Sequence, residues 1–366
     1  TTANSGLGYR AGYYNTTGIK NTYIGYHSGF GVSGNANSSN SALGYRSLVG
    51  ITTGTVNTAM GESAGASATT ASGSVFLGAD AGGTVTTGNQ NIAIGYDAMK
   101  GGTTTGDNNI AIGVSAGDAL TSGYSNQLIG EDAGGALTTG TFNVALGRNA
   151  FATATDTSQT VSIGIGAGDA INSTDANGTV SIGYFAASEL TSGQGNVAIG
   201  SSALLYENDG DFNTAIGYEA LKDQTGVTGT VANTAVGYLA GTNITTGIKN
   251  TMLGAYAGYT SLLVDNTVLL GYNAGGSAAM TADADGTVAV GWSALAQLTS
   301  GQRNIAIGYE ALDALKVGDD NIALGYQALT NLGTSTFANR NIAIGTYALL
   351  SAANNNINDN IAIGYG

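Results

Sequence analysis

One short phrase recurs throughout this chain: an asparagine, three residues that alternate between large and small, and a glycine. It reads Asn-Ile-Ala-Ile-Gly-Tyr at residues 91–96 and again at residues 304–309. The phrase occurs 21 times, and most of the spacings between its glycines are 17 residues, the others being 18 to 20. A fixed period of this size is typical of a solenoid, in which each repeat buries its apolar face against the next.

Composition favours an ordered solenoid over a disordered chain. The 366 residues include 60 glycines, no proline, no cysteine and only 9% charged residues, but 42% are hydrophobic. That apolar content is enough to form a core. No apolar run approaches the roughly 20 residues that span a bilayer. We therefore expect an all-β fold, a parallel β-solenoid of about 21 coils that forms one continuous domain over residues 1–366 and a rod about 100 Å long.

The phrase alternates in the manner of a strand. Counted from the glycine as position 0, position −1 is aliphatic in all 21 copies, position −3 is mostly Val, Ile or Thr, and position −2 is usually Ala. Because side chains alternate across a strand, −1 and −3 share one face while −2 and 0 share the other. We expect the −1 residues, such as Ile199, to form a continuous buried column. The small Ala/Gly face permits close approach by another layer, either of the same coil or of another chain.

Other positions are also regular. Position +3 is Ala in 18 of 20 copies and predicts a return strand or a tight corner. A Thr-Thr-Gly or Thr-Ser-Gly turn often follows, as at Gly88 and Gly193, where glycine is expected to supply a positive φ. Asn occupies position −4 in 16 of 21 copies. Stacked at the strand spacing, these asparagines are predicted to form a hydrogen-bonded ladder along the axis.

The Asn-x-Ala-Ile-Gly core followed by Ala, as at residues 91–95, 196–200 and 341–345, resembles the head repeats of trimeric autotransporter adhesins and similar repeats in phage tail fibres. The resemblance covers nearly the whole chain through this one motif, although the period here is longer than is usual in those heads. It implies a left-handed β-roll, a homotrimer of chains side by side, and an adhesive or spacer role outside the cell or virion.

Catalytic chemistry has little support in the sequence. The densest acidic group is Glu207, Asp209 and Asp211, followed by Asp283 and Asp285. A pair of carboxylates is what a glycosidase requires, but these residues fall in loop positions and are expected to be solvated. His27 is the only histidine and is interpreted as a surface substitution. We expect no enzyme activity, no catalytic, cofactor-binding or metal-binding residues, and no cofactor.

Charge and aromatic residues bear on possible partners. The net charge is −14 and the ten Lys and Arg are scattered singly, so nucleic acid binding is not expected. Eleven of the 19 tyrosines occupy position +1, with Trp292 at the same position. This aromatic stripe is interpreted as corner packing between coils, with a contact surface or sugar stacking as the alternative.

The sequence thus favours a structural and adhesive fibre segment, extracellular and at a cell or virion surface, with a glycan or protein receptor. The alternative is a carbohydrate-active, glycosidase-like spike, and ice binding by the Thr-rich turns is a weaker third. Neither Thr1 nor Gly366 lies in a distinct capping segment. Since solenoid ends normally need covering, we expect axial neighbours or flanking fibre domains at both ends.

Overall fold

A computed structural model describes residues 3–330, 338–350 and 357–366. Thr1, one of the two ends at which we expected a covering neighbour, lies outside the described residues. The chain divides into two compact units, residues 1–179 and 180–366, and each unit is a parallel β-solenoid with a repeat of about 17 residues. The all-β prediction is confirmed. The continuity of residues 1–366 as one body and the left-handed winding stay predictions.

Unit 1 contributes ten motif strands of three residues each, and every strand pairs in parallel with the next strand of the unit. The pairing is in register, so that Val144 faces Val161 and Leu146 faces Ile163. One 3₁₀ turn, Thr174–Ala176, follows the last strand. The strands are β1 (Ser5–Leu7), β2 (Thr22–Ile24), β3 (Ser41–Leu43), β4 (Thr58–Met60), β5 (Val75–Leu77), β6 (Ile92–Ile94), β7 (Ile110–Ile112), β8 (Gln127–Ile129), β9 (Val144–Leu146) and β10 (Val161–Ile163).

Unit 2 contributes eleven motif strands in the same parallel, in-register arrangement. These are β11 (Val180–Ile182), β12 (Val197–Ile199), β14 (Thr214–Ile216), β16 (Thr234–Val236), β17 (Thr251–Leu253), β18 (Val268–Leu270), β19 (Val288–Val290), β20 (Ile305–Ile307), β21 (Ile322–Leu324), β23 (Ile342–Ile344) and β25 (Ile361–Ile363). Two accessory pairs are β13 (Gly210–Asp211) with β15 (Gly229–Thr230) and β22 (Ala338–Asn339) with β24 (Ile357–Asn358). A 3₁₀ turn spans Ala282–Ala284.

The strand faces are oriented opposite to our expectation. In strand after strand the central residue at −2 is buried, while the residues at −3 and −1 are exposed or half-buried. Ala198 has no exposed surface, whereas Ile307 is 42% exposed and Leu253 51%. The predicted buried column of −1 residues is therefore wrong. The interior is shared by positions −2, +3, +4 and +7: a small residue at −2 packs where +4 is large, and a large one such as Leu128 packs where +4 is glycine, here Gly134.

The same orientation decides between the two alternatives for the Ala/Gly face in favour of a layer of the same coil. Alanines at −2 and +3, such as Ala198 and Ala203, are fully buried and pack inside their own coil. Larger buried residues form two further columns, one at +4 that includes Leu204 and one at +7, not anticipated from the sequence, that includes Leu120 and Leu190. The segment from +1 to +4 is a turn rather than a return strand. Each coil thus closes on its own core through one short strand and a tight corner.

Glycine at position 0 is required by the approach of neighbouring coils. These glycines have φ between +125° and +143°, a region that side chains rarely adopt. A Cβ at Gly8 would lie 2.5 Å from the carbonyl oxygen of Gly25 in the next coil. At Gly88 and Gly193 the expected positive φ is absent. Those turn glycines are needed because a Cβ would meet a carbonyl oxygen of the following coil.

The orientation of the strand faces predicts unequal effects of two adjacent substitutions. Ala198→Asp places a carboxylate inside the coil and should destabilise unit 2 by about 3 kcal/mol or more. Ile199→Asp, on the outer face, should leave the coils of a single chain folded, as should the control Gln194→Asp at an exposed turn. Hydrogen exchange across residues 180–235 provides the measurement. Loss of protection in Ile199→Asp with normal protection in Ala198→Asp would reverse the assignment of the faces.

Candidate functional site

The outward face of the motif strands is an uncharged aliphatic surface. We call the residues at −1 and −3 of each unit its aliphatic face. None of them is charged, and in unit 2 only Thr214, Thr234 and Thr251 among them are polar. Soluble monomers rarely expose contiguous apolar patches larger than a few hundred Å². An aliphatic face repeated over ten or eleven coils therefore has the character of an interaction surface, and it is the main candidate site of each unit.

A stripe of aromatic residues at +1 borders this face. In unit 2 the rings of Tyr272, Trp292, Tyr309 and Tyr326 follow one another at centroid distances of 6.2, 4.7 and 5.1 Å, with interplanar angles of 8–9°. Packing between coils is confirmed. Because each ring presents its faces to the rings before and after it, only the edges are left for a partner. Sugar stacking on a ring face is therefore disfavoured within this run.

The asparagine ladder at −4 is confirmed, with backbone groups taking a larger part than expected. The Asn126 backbone N–H donates to Asn109 Oδ1 at 3.1 Å, and Asn126 Nδ2 donates both to Asn109 Oδ1 at 3.0 Å and to the Gly140 carbonyl oxygen at 2.9 Å. Where serine replaces asparagine, the Asn91 N–H donates to Ser74 Oγ at 3.2 Å. The side chains lie inside the coil, which gives them a structural role.

A second polar ladder lies at −6 and was missed by the sequence reasoning. The Gln194 N–H donates to Asp211 Oδ1 at 2.8 Å, and the Gln302 N–H donates to Asp319 Oδ1 at 2.9 Å, each bond joining one coil to the next. The sequence does carry a signal for this ladder, because Asn, Asp or Ser recurs at −6, two residues before the −4 asparagine. Loop aspartates such as Asp211 and Asp319 therefore accept a hydrogen bond from the preceding coil, which gives them a structural role.

Glu207 is the acid for which the expectation of a solvated position is wrong. It occupies the buried +7 column, and its side chain has no exposed surface. Glu207 Oε1 accepts the backbone N–H groups of Asn208 (2.9 Å), Asp209 (3.2 Å) and Gly210 (2.8 Å), while Oε2 is buried without a partner. Burial raises the pKa of this carboxyl despite those bonds.

The other acids of the two predicted groups remain at or near the surface. Asp209 Oδ1 accepts hydrogen bonds from Ser192 Oγ (2.6 Å) and Thr191 Oγ1 (2.8 Å), which lower its pKa. A raised and a lowered carboxyl side by side is the usual arrangement for acid–base work. Glu207, however, lies inside the coil and cannot contact a substrate. Asp283 is exposed, and Asp285 Oδ1 accepts the Asp265 N–H at 2.8 Å.

An open groove in unit 1 brings together aspartates that the sequence reasoning did not single out. Asp118, Asp132 and Asp169 line it with several small residues, and its volume is about 460 Å³. Burial raises the pKa of Asp169. Among the described residues, no group of three or more acidic, histidine or cysteine side chains is arranged to hold a metal ion. The groove is an acidic surface feature without a built site.

His27 lies within an aromatic cluster. Its ring stacks on Tyr26 at 4.1 Å and on Phe30 at 4.6 Å between centroids, and its Nε2 is buried without a hydrogen-bond partner. It is half-buried rather than a plain surface substitution. No carboxylate or nucleophilic side chain bonds to it among the residues that the structure describes. His27 therefore packs the corner of its coil.

The fold and the repeat define each unit as a parallel β-solenoid of a repeat protein. No model of a known protein family matches the chain, and no curated protein matches it either. Within the described part of the chain, no helix has the length and apolar character needed to cross a membrane.

The environment of Glu207 predicts a pH-dependent difference between two neighbouring substitutions. The folded-state pKa of Glu207 is raised, so the contribution of this group to stability is greatest at low pH, where the carboxyl is neutral. That contribution is lost as the pH rises through the folded-state pKa. Glu207→Gln should match wild type near pH 4 and exceed it at pH 8, by about 1 kcal/mol for a buried acceptor left unpartnered. Chemical unfolding at the two pH values measures this.

Asp209→Asn is the matched control and should behave with the opposite sign. The lowered pKa of Asp209 means that its charge contributes stability at neutral pH, which is lost as the pH falls through the folded value. This variant should therefore be less stable than wild type at pH 8 and approach it at acidic pH. Destabilisation of Glu207→Gln at pH 8 would contradict an energetic cost of burying the Glu207 charge.

Proposed function

We propose that this chain is a structural and adhesive segment of an extracellular fibre, at a cell or virion surface, assembled from three copies packed side by side. The observation that carries the proposal is the aliphatic face, which runs through every coil of each unit without a charge. The motif resemblance to trimeric adhesin heads and tail-fibre repeats supports the number three and the location. A repeat that gives every coil the same outer face suits a part that provides reach and stiffness.

Assembly through the aliphatic face is consistent with the distribution of charge. The net charge of −14 would oppose the approach of identical chains, yet the −1 and −3 columns hold no charged side chain. In-register columns of Ile, Leu and Val on one chain can meet the same columns on another, since both have the same spacing. Burying each such side chain is worth about 1.5–3 kcal/mol, so the contributions along several coils add to a stable interface.

The test of assembly is the mass of the particle in solution. Wild type should scatter light as three chains of 36.1 kDa, whereas Ile199→Asp combined with Ile216→Asp should shift the population toward one or two chains without loss of β-structure. Gln194→Asp, at an exposed turn of the same unit, serves as the control and should keep the wild-type mass. A folded wild-type particle of single-chain mass would refute assembly while leaving the solenoid intact.

The glycosidase alternative predicts turnover of a polysaccharide, whereas the structural proposal predicts none. Glu207 has no exposed surface, and Asp209 and Asp211 are bonded to the preceding coil, which supports a structural role for this acidic group. Incubated with a panel of bacterial and algal polysaccharides, the assembled protein should release no new reducing ends above a boiled control. Sustained turnover that disappears in Glu207→Gln or Asp209→Asn would favour the enzyme.

A further inference from the structure

The acidic residues of this chain are distributed unevenly. Residues 1–61 contain no Asp or Glu, so all 24 carboxylates of the side chains lie beyond them. The same stretch carries Arg10, Lys20, Arg46 and the only histidine. At physiological ionic strength, charges interact over about 8 Å. The side-chain charges of the first three coils of unit 1 are therefore all positive, and the first carboxylate, Glu62, follows at +1 of the fourth coil.

The solenoid brings residues of this stretch together that are far apart in sequence. Arg10 and Arg46 both occupy position +2, in the first and third coils, beside the +1 tyrosines. The backbone N–H of His27 donates to the Tyr9 carbonyl oxygen and that of Arg46 to the Tyr26 carbonyl oxygen, both at 2.9 Å. The two arginines are thus two coils apart, roughly 10 Å along the axis. We call Tyr9, Arg10, Tyr13, Tyr26, Tyr45 and Arg46 the basic aromatic patch.

The arginines of the patch have donors free for a ligand. The Arg10 guanidinium lies 5.2 Å from the ring centroid of Tyr9 and 5.1 Å from that of Tyr13, contacts that hold it in place. Over the described ranges, neither Arg10 nor Arg46 donates a side-chain hydrogen bond or lies within 4.0 Å of a carboxylate. By contrast, Arg303 donates to both oxygens of Asp320, at 2.6 and 3.0 Å.

The rings of the patch favour one kind of anion over another. Tyr9, Tyr26 and Tyr45 stack successively at 5.3 Å, with interplanar angles of 15° and 11°, and each is 44–58% exposed. Single-stranded nucleic acid binds by placing its bases on open ring faces, and here the faces between coils are occupied. Ring edges and guanidinium groups remain, and they suit oxygen-rich anions.

We propose that the basic aromatic patch binds an acidic polysaccharide that carries carboxylate or sulfate groups on successive sugars. The tyrosines recur at each of the three coils and the two arginines lie two coils apart, so a polymer with repeated charges can contact several coils at once. This ligand class deepens the adhesive role proposed above and rests on it. Both carboxylate and sulfate oxygens accept the paired N–H donors of arginine.

The test uses the complete chain, with polygalacturonate and dextran sulfate as acidic probes, uncharged dextran as a neutral probe, and single-stranded oligothymidine as a nucleic acid probe. Biolayer interferometry at two salt concentrations reports affinity. Wild type should bind at least one acidic polysaccharide, more weakly at higher salt, and should not bind dextran. Arg10→Gln combined with Arg46→Gln should weaken binding about tenfold, as expected for two exposed charge contacts.

The matched control is Arg303→Gln combined with Arg340→Gln, which removes the same charge from a region where each arginine is already paired. It should bind within about twofold of wild type. Absence of binding to both acidic polysaccharides, equal losses in the two double variants, or tighter binding of oligothymidine would each overturn the proposal. Light scattering on the same samples tests side-by-side assembly separately. A failure of assembly would change the mass of the particle, whereas a failure of this proposal would appear as equal binding by the two double variants or as no binding.

Discussion

The close axial approach of one coil to the next is the constraint on which the rest of each unit depends. The Gly25 N–H donates to the Leu7 carbonyl oxygen at 2.8 Å, and the same bond recurs at the glycines that follow. A side chain at the Gly8 position would collide with the backbone of the neighbouring coil. Repeating this contact fixes the coil height, and a fixed coil height aligns every other position into a column.

Columns formed in this way decide what the interior can contain. Each coil buries the residues at −2, +3, +4 and +7, and where −2 is itself large, as at Leu128, position +4 is glycine. The coil also encloses polar groups, because the corners of each coil bring backbone N–H and carbonyl groups inside. The −4 asparagines satisfy those groups, as Asn126 does for Gly140, and the cost of burying the amide is offset by the two bonds its Nδ2 donates and the two its Oδ1 accepts.

The same geometry places the interacting groups outside. Because the −2 side chains face the interior, the branched residues at −1 and −3 form an outer aliphatic face, and the aromatic residues at +1 form its border. No charged residue lies on that face, and the charged residues lie in the turns and corners of the coils. The two proposed interactions therefore use different columns: assembly uses −1 and −3, and the acidic polysaccharide uses +1 and +2 in the first three coils.

The sequence by itself determined the period, the parallel in-register stacking and the asparagine ladder, because a fixed repeat requires equivalent residues to meet. It did not determine which strand face lies inside. Alternation defines two faces, and the usual preference for buried aliphatic residues pointed to the wrong one. Only the closed coil decided it, since Ala198 packs inside against the larger side chains at +4 and +7 while Ile199 lies on the outer side. The burial of Glu207 likewise arises from coil closure, which turns the +7 position inward and which no local pattern encodes.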